Sequence, residues 1–238
     1  MSLYGRINWN GKEEEMKGKF IIIEGIDGSG KTTIAERIAF KLKELGYNAI
    51  FINKKNFEVC SPYVKKFMTY LKKDLWDNSP EDPVDEIPEE AWLYLHSLWY
   101  KLMEEKVLKK LINENEFVII DGWYYKFLAR HLTNGNFDFD YTFSIMDKFI
   151  KGDYTFFLDV NVETCFNRRK SFKPSELGAH SLEKNGEESS RNKFIAYQSQ
   201  VREKYLKICN KYNFIKVEAE KLNIDECVKY ILKQMKLC

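Results

Sequence analysis

The chain has 238 residues, of which 44% are hydrophobic and 31% are charged. This length and composition exclude an intrinsically disordered chain, and the longest apolar run is far too short to span a bilayer. Because 38 lysine and arginine residues nearly balance 36 aspartate and glutamate residues, the net charge of +2 predicts no general attraction to nucleic acid or to an anionic membrane.

The first 52 residues predict a strand, a helix and a second strand. Residues 1–18 are expected to be a polar lead-in to a single domain over residues 19–238. Residues 19–24 form a β-branched apolar run, which is typical of a strand buried on both faces. Apolar residues spaced three and four apart predict a helix over 32–45, and a second apolar run predicts a strand over 49–52. Such a strand–helix–strand unit indicates a parallel sheet.

The rest of the chain continues this alternation. Apolar periodicity predicts two helical pieces within 123–150 and helices over 89–111, 163–172, 192–212 and 224–236. Short apolar runs predict strands over 117–121, 154–159 and 214–217. Polar or proline-rich composition predicts loops over 74–90 and 173–190. The pattern predicts an α/β fold with three layers, in which a five-stranded parallel sheet lies between helices.

The segment between the first strand and the first helix matches a phosphate-binding loop. Residues 25–32 read GIDGSGKT, which fits the pattern G-x-x-x-x-G-K-[ST] at every fixed position. Glycines let backbone N–H groups turn toward a polyphosphate, and the helix N-terminus adds partial positive charge. The motif predicts binding of a nucleoside triphosphate, with Lys31 at the outer phosphates and the Thr32 hydroxyl on Mg²⁺. The expected nucleotide contacts are Gly25, Asp27, Gly28, Ser29, Gly30, Lys31, Thr32 and Thr33.

The same segment carries a family resemblance. Residues 20–33, FIIIEGIDGSGKTT, resemble the opening of thymidylate kinases, including Glu24 and Asp27. Less specific matches follow in order over about residues 19–233. The resemblance implies a P-loop nucleoside monophosphate kinase fold with a short lid at about 168–191. It also implies a homodimer that transfers the γ-phosphoryl group of ATP, with Mg²⁺, to a nucleoside monophosphate, and dTMP is the expected acceptor.

The resemblance assigns roles to several charged residues. Asp27 is expected to act in catalysis by meeting the sugar or the phosphate of the acceptor. Arg168 and Arg169 begin the lid, where they could close over the transferring group together with Lys31, or could be ordinary surface charges. Asp121 ends the third strand at the carboxyl edge of the sheet, where it would position Mg²⁺ and its water or cap a helix. Two lesser candidates in the lid are Lys173 and Arg191.

Four departures from the family pattern all affect the acceptor side. The turn after the third strand reads Asp121-Gly122-Trp123, where the family has Asp-Arg-Tyr or Asp-Arg-His. The motif Arg-x-Pro-Gly-Gly-Thr is absent after the second strand, where residues 54–58 read KKNFE. Trp99 falls at an expected arginine, and residues 129–131 read ARH instead of AYQ. These departures predict a normal ATP site that faces an altered acceptor pocket.

The altered pocket needs other groups to hold the acceptor. Because a phosphate requires cationic or N–H partners, Arg130 and either Lys54 or Lys55 are expected to replace the missing arginine. His131 is expected to be a hydrogen-bonding residue, since a monophosphate is already nucleophilic and needs no catalytic base. Stacking on the acceptor base and packing in the core are both open for four aromatic residues, Tyr94, Trp99, Trp123 and Tyr125.

Two other functions remain open at this point. A P-loop kinase for a nucleoside or another small hydroxyl compound would need a base beside the acceptor, and Glu58 could supply it. An ATP-binding regulatory protein with little transfer activity would be consistent with the missing acceptor arginine.

The number and spacing of the cysteines indicate the cellular compartment. Five cysteines at irregular spacing form no CxxC pair, and the acidic N-terminal stretch resembles no signal peptide. A reducing, cytoplasmic location is therefore expected. The apolar stretch 92–102 is expected to form either a dimer interface or part of the core.

Overall fold

Five strands form one sheet in the computed structural model, which describes residues 16–77, 86–135, 137–178 and 187–237. The strands are β1 (Lys19–Glu24), β2 (Ala49–Ile52), β3 (Phe117–Asp121), β4 (Tyr154–Leu158) and β5 (Ile215–Val217). Their order across the sheet is β2-β3-β1-β4-β5, and every neighbouring pair is parallel. This confirms the predicted α/β fold, and each strand lies within one residue of its predicted bounds.

The apolar sequence of β1 explains why it lies at the centre of the sheet. Residues 20–23 are fully buried, because β3 and β4 flank β1 and helices pack against the sheet. Parallel strands bring their carboxyl ends to one edge, where ligands bind in folds of this kind. Glu24, at the end of β1, and Asp121, at the end of β3, lie at this edge.

Nine α-helices surround the sheet within the described part of the chain. They are α1 (Lys31–Glu44), α2 (Pro62–Trp76), α3 (Glu89–Met103), α4 (Lys109–Glu114), α5 (Tyr125–Asn134), α6 (Phe139–Met146), α7 (Val162–Asn167), α8 (Glu187–Tyr212) and α9 (Ile224–Gln234). A π-helical turn, Glu104–Leu108, joins α3 to α4, and a 3₁₀ turn, Pro174–Glu176, follows α7. The predicted helix over 89–111 therefore continues as α3, the π turn and α4 to residue 114.

Several predicted boundaries are wrong. Helix α2 was not predicted, and it extends into the predicted loop over 74–90, whereas α3 begins at Glu89 as predicted. The predicted helix over 163–172 ends at Asn167, and α8 begins at Glu187, inside the predicted loop over 173–190. Residues 1–15 of the lead-in, 78–85 of the first loop and 179–186 of the lid lie outside the described residues.

None of the helices over the described ranges combines the length and the apolar character that a membrane span requires.

Candidate active site

The loop from Gly25 to Gly30 joins β1 to α1 with the geometry of a phosphate site. Gly28 and Gly30 have φ angles of 86° and 92°, a left-handed conformation that favours glycine. A Cβ atom on Gly28 would lie 2.5 Å from the carbonyl oxygen of Cys165 in α7, so the loop packs closely on that helix. Gly30 is the N-cap of α1 and has no side chain to cap it. The first amides of α1 are therefore suited to bind phosphate oxygens.

Lys31 and Thr32 begin α1 beside this loop. Lys31 Nζ folds back on the loop and donates a hydrogen bond to the carbonyl of Ile26 at 2.6 Å. The Thr32 hydroxyl donates to Asp121 Oδ2 at 2.6 Å. Asp121 Oδ1 is buried, and no described residue hydrogen-bonds to it. An oxygen left without a partner in a buried place is suited to a ligand such as the water shell of a cation.

Asp27 lies at the tip of the loop, where it binds two cations of α5. Its carboxylate forms ion pairs with Lys126 and, at 2.7 Å, with Arg130 Nη2. Burial opposes ionisation of Asp27, but the charges of these two residues outweigh it and hold the pKa of the carboxyl well below its ordinary value of 3.8. The structure thus brings the predicted residues Asp27 and Arg130 together. Lys126 was missed, although its spacing of four from Arg130 on a helix was a usable signal.

Glu24 is fully buried behind the loop. One carboxylate oxygen accepts a hydrogen bond from the backbone N–H of Trp123 and the other accepts one from the Tyr205 hydroxyl, both at 2.6 Å. Burial raises the pKa of Glu24, and these hydrogen bonds oppose the rise. The residue therefore fixes β1, the turn after β3 and α8 relative to one another.

Three of the four aromatic candidates lie in the core. Trp123 is fully buried and donates from Nε1 to the carbonyl of Ile150 at 3.0 Å. Trp99 is also fully buried, and its ring lies 4.7 Å from that of Trp76. Tyr125 packs its buried ring between Tyr212 and Phe214, with ring centres 5.1 and 4.7 Å away. Since core neighbours cover these rings, they are not available to stack on the base of an acceptor nucleotide.

The fourth aromatic candidate, Tyr94, is half exposed on α3. Its hydroxyl lies 2.7 Å from that of Tyr141 and 3.1 Å from a carboxylate oxygen of Glu90. These contacts place Tyr94 on the outer surface of α3, where we do not expect it to bind the acceptor.

The lid arginines have different surroundings. Arg169 Nη2 forms an ion pair with Glu176 Oε2 at 2.9 Å, and the guanidinium lies over the Phe172 ring. The backbone carbonyl of Glu176 accepts a hydrogen bond from the buried Gln198 of α8 at 2.9 Å. Arg169 would have to leave Glu176 to reach a phosphoryl group. Arg191, a lesser candidate, pairs with Glu163 at the surface.

Arg168 lines an open groove between the end of α7 and the start of α9. The groove has a volume of about 630 Å³, and it is also lined by Leu222, Asn223, Ile224, Asp225, Glu226 and Lys229. The phosphate loop contacts α7 through Gly28 on one side and α5 through Asp27 on the other. The loop therefore contacts both α7, whose C-cap residue Arg168 lines the groove, and α5, which carries the two cations.

The remaining candidates have structural contacts. Glu58 is exposed and pairs with Lys65, rather than with a residue of the phosphate loop. His131 is buried, and its Nδ1 lies 3.2 Å from Glu89 Oε2, as expected for a hydrogen-bonding residue. No cluster of three or more histidine, cysteine, aspartate or glutamate side chains suited to a metal occurs over the described ranges.

Comparisons with known proteins point to one family. The family model for thymidylate kinase matches residues 23–231 of this chain. A probable thymidylate kinase from Sulfurisphaera tokodaii is 30% identical over 202 residues, which cover 84% of this chain and 87% of that protein. A thymidylate kinase from Brachyspira hyodysenteriae is 31% identical over 156 residues, which cover 64% and 68% of the two chains. The solved structure of thymidylate kinase from Candida albicans has a similar fold, with a TM-score of 0.65 at 20% identity over 94% of this chain and 95% of that one.

Proposed function

This chain belongs to the thymidylate kinase family, and we propose that it transfers the γ-phosphoryl group of ATP to dTMP, giving dTDP and ADP. The observation that carries the proposal is that the phosphate loop contacts α7, which ends at the groove, and also α5, which carries two cations. Phosphoryl transfer needs two anionic ligands that meet in line, and this arrangement supplies a place for each.

The donor side consists of the phosphate loop and the groove. The loop amides and Lys31 bind the phosphates of ATP, and the nucleoside part lies toward the groove beside Arg168. Thr32 and Asp121 are the residues that would hold Mg²⁺ and its water, because their oxygens already adjoin and Asp121 Oδ1 has a free acceptor position. A bound Mg²⁺ would neutralise phosphate charge and orient the phosphates.

On the acceptor side, the nucleophile is a phosphate oxygen of the substrate itself. A phosphate oxygen of dTMP forms a bond to the γ-phosphorus of ATP, the bond from that phosphorus to the β–γ bridging oxygen breaks, and ADP leaves with the electron pair. The attacking oxygen is already anionic, so the chain needs to supply position and positive charge rather than a base. Arg130 is within reach of both the loop and the acceptor through its contact with Asp27.

The test of this function is a screen of ATP consumption against natural nucleoside monophosphates and nucleosides, with and without Mg²⁺. We expect turnover with dTMP that is lost when Mg²⁺ is chelated. Turnover with a nucleoside alone would support the hydroxyl-acceptor kinase instead, which the surface ion pair of Glu58 with Lys65 does not favour. ATP binding without any product would support the regulatory alternative.

Replacing Arg130 by alanine should separate the two substrates. The variant loses a charge-assisted contact to the acceptor, so we expect the KM for dTMP to rise about 10- to 100-fold while the KM for ATP changes little. Arg168→Ala is the matched control, because this residue lines the groove on the donor side and should raise the KM for ATP instead. Equal changes in both KM values for Arg130→Ala would contradict its role at the acceptor.

One face of α3 is exposed and bears on the oligomeric state of the protein. The outward face of α3 exposes Tyr94 and Leu98 while its inner face is buried, which supports a homodimer through this helix. Light scattering should give twice the mass of one chain, and the mass of a single chain would contradict the dimer.

The free thiols of Cys60, Cys165, Cys209 and Cys227 support a reducing compartment, and we infer the cytoplasm.

A further inference from the structure

A partly buried lysine, Lys54, lies beside the turn that follows β3, where residue 122 has no side chain. A Cβ atom on Gly122 would lie 3.7 Å from Lys54 Nζ and 3.7 Å from Glu24 Oε2. Lys54 reaches this place from the segment after β2, and its backbone carbonyl accepts a hydrogen bond from Trp99 Nε1 at 3.1 Å. A Cβ atom alone would make ordinary contact there, but a longer side chain at residue 122 would meet the ammonium, which here comes from the end of a different strand.

The ammonium group of Lys54 lies beside an aromatic ring and donates no hydrogen bond to the described residues. Its ammonium lies 5.2 Å from the centre of the Phe127 ring. The neighbouring carboxylate of Glu24 already accepts two other hydrogen bonds. Over the described residues, no oxygen accepts a hydrogen bond from Lys54 Nζ. A partly buried ammonium with three unused donors is suited to a ligand that supplies the acceptors.

Two cations of α5 face the same place. Lys126 and Arg130 lie one helical turn apart, and both bind Asp27 at the tip of the phosphate loop. Burial lowers the pKa of Lys126 and the charge of Asp27 opposes this change. The charges of Arg130, Lys54 and Lys31 lower the pKa further, as expected when several cations lie close together. Arg130 Nε is also buried without a partner in the described chain. Three cations from two chain segments thus lie near one another, beside the phosphate loop and the turn after β3.

We propose that Lys54 and Lys126, together with Arg130, bind the phosphate of the acceptor nucleotide. The inference rests on the proposed transfer to a nucleoside monophosphate, and it assigns the phosphate-binding residues of that site. A phosphate dianion has enough oxygens to accept from both ammonium groups and from the guanidinium. Its charge also compensates the mutual repulsion of the cations, which explains why so many are gathered around the single carboxylate of Asp27.

The test compares dTMP with thymidine, which differ only in the phosphate, by calorimetric titration. In Lys54→Met and Lys126→Met we expect dTMP to bind about 10- to 100-fold more weakly than in the wild type, while thymidine binds as before. Lys54→Arg should keep most of the dTMP affinity, because it keeps the charge. Lys207→Met is the control, since Lys207 is exposed on α8 and pairs only with Glu203 within one helix.

The outcomes separate this inference from the proposed function. Turnover of dTMP by the wild type with unchanged dTMP affinity in both methionine variants would overturn the inference and leave the function intact. Equal weakening of dTMP and thymidine would also overturn it, because that result indicates a general structural role. A wild type that transfers phosphate to no monophosphate would contradict the function itself.

Discussion

Replacing Lys31 by alanine is expected to reduce kcat for phosphoryl transfer by about 100- to 1,000-fold, because the variant lacks the cation that meets the charge developing on the transferred group. Among the described residues, Lys31 Nζ hydrogen-bonds only to the loop itself, through the carbonyl of Ile26 at 2.6 Å and Ser29 Oγ at 3.5 Å. The fold should therefore survive the change. The measurement is steady-state kinetics with saturating ATP and dTMP.

Two companion variants make the Lys31 result specific. Lys41→Ala removes an exposed lysine from the same helix, one that pairs with Glu44, and should leave kcat unchanged. Lys31→Arg keeps the charge but changes its geometry, so it should recover only part of the lost rate. Near-normal transfer by Lys31→Ala would remove the phosphate loop from the mechanism.

The bounds of the strands could be predicted to within one residue because each strand corresponds to a short apolar run in the sequence. Residues 20–23 and 117–120 are continuous apolar runs, as required of strands that are covered on both faces. Helix α2 was missed because apolar residues lie on both of its faces. Met68, Leu71 and Leu75 are buried at helical spacing, but exposed tyrosines at 63 and 70 obscure the period.

The two halves of the site differ in how far the sequence could predict them. The phosphate loop of the donor half is one contiguous stretch, so its geometry follows from eight residues. The acceptor half combines Lys54 from the segment after β2, Lys126 and Arg130 from α5, and Asp27 from the phosphate loop, which are three separate parts of the chain. For Trp123 the sequence left both base stacking and core packing open, because the packing of its ring against Tyr100, with ring centres 4.9 Å apart, depends on tertiary structure. Side chains that meet only through folding carry little local signal.

Replacing Asp27 by asparagine is expected to lower the free energy of unfolding by about 3–5 kcal/mol at neutral pH, because it leaves buried Lys126 and Arg130 without their carboxylate. The side chain of Asp27 is only 8% exposed, so solvent compensates little. The measurement is urea unfolding of the wild type and the variant, followed by circular dichroism. Asp140→Asn is the matched control, since this aspartate is 88% exposed and lies 4.0 Å from Lys211, and no measurable change is expected.

The pH dependence of this difference distinguishes the ion pairs from a packing effect. The pKa of Asp27 is lowered on folding, so its ionised form stabilises the fold at pH values above its ordinary value of 3.8. That stabilisation is lost as the pH falls below this value and through the lowered pKa of the folded state. The difference between the wild type and Asp27→Asn should therefore be constant near neutrality and should shrink under acid conditions. A difference that stays the same down to the acid transition would mean that the charges of Asp27, Lys126 and Arg130 do not hold the loop against α5.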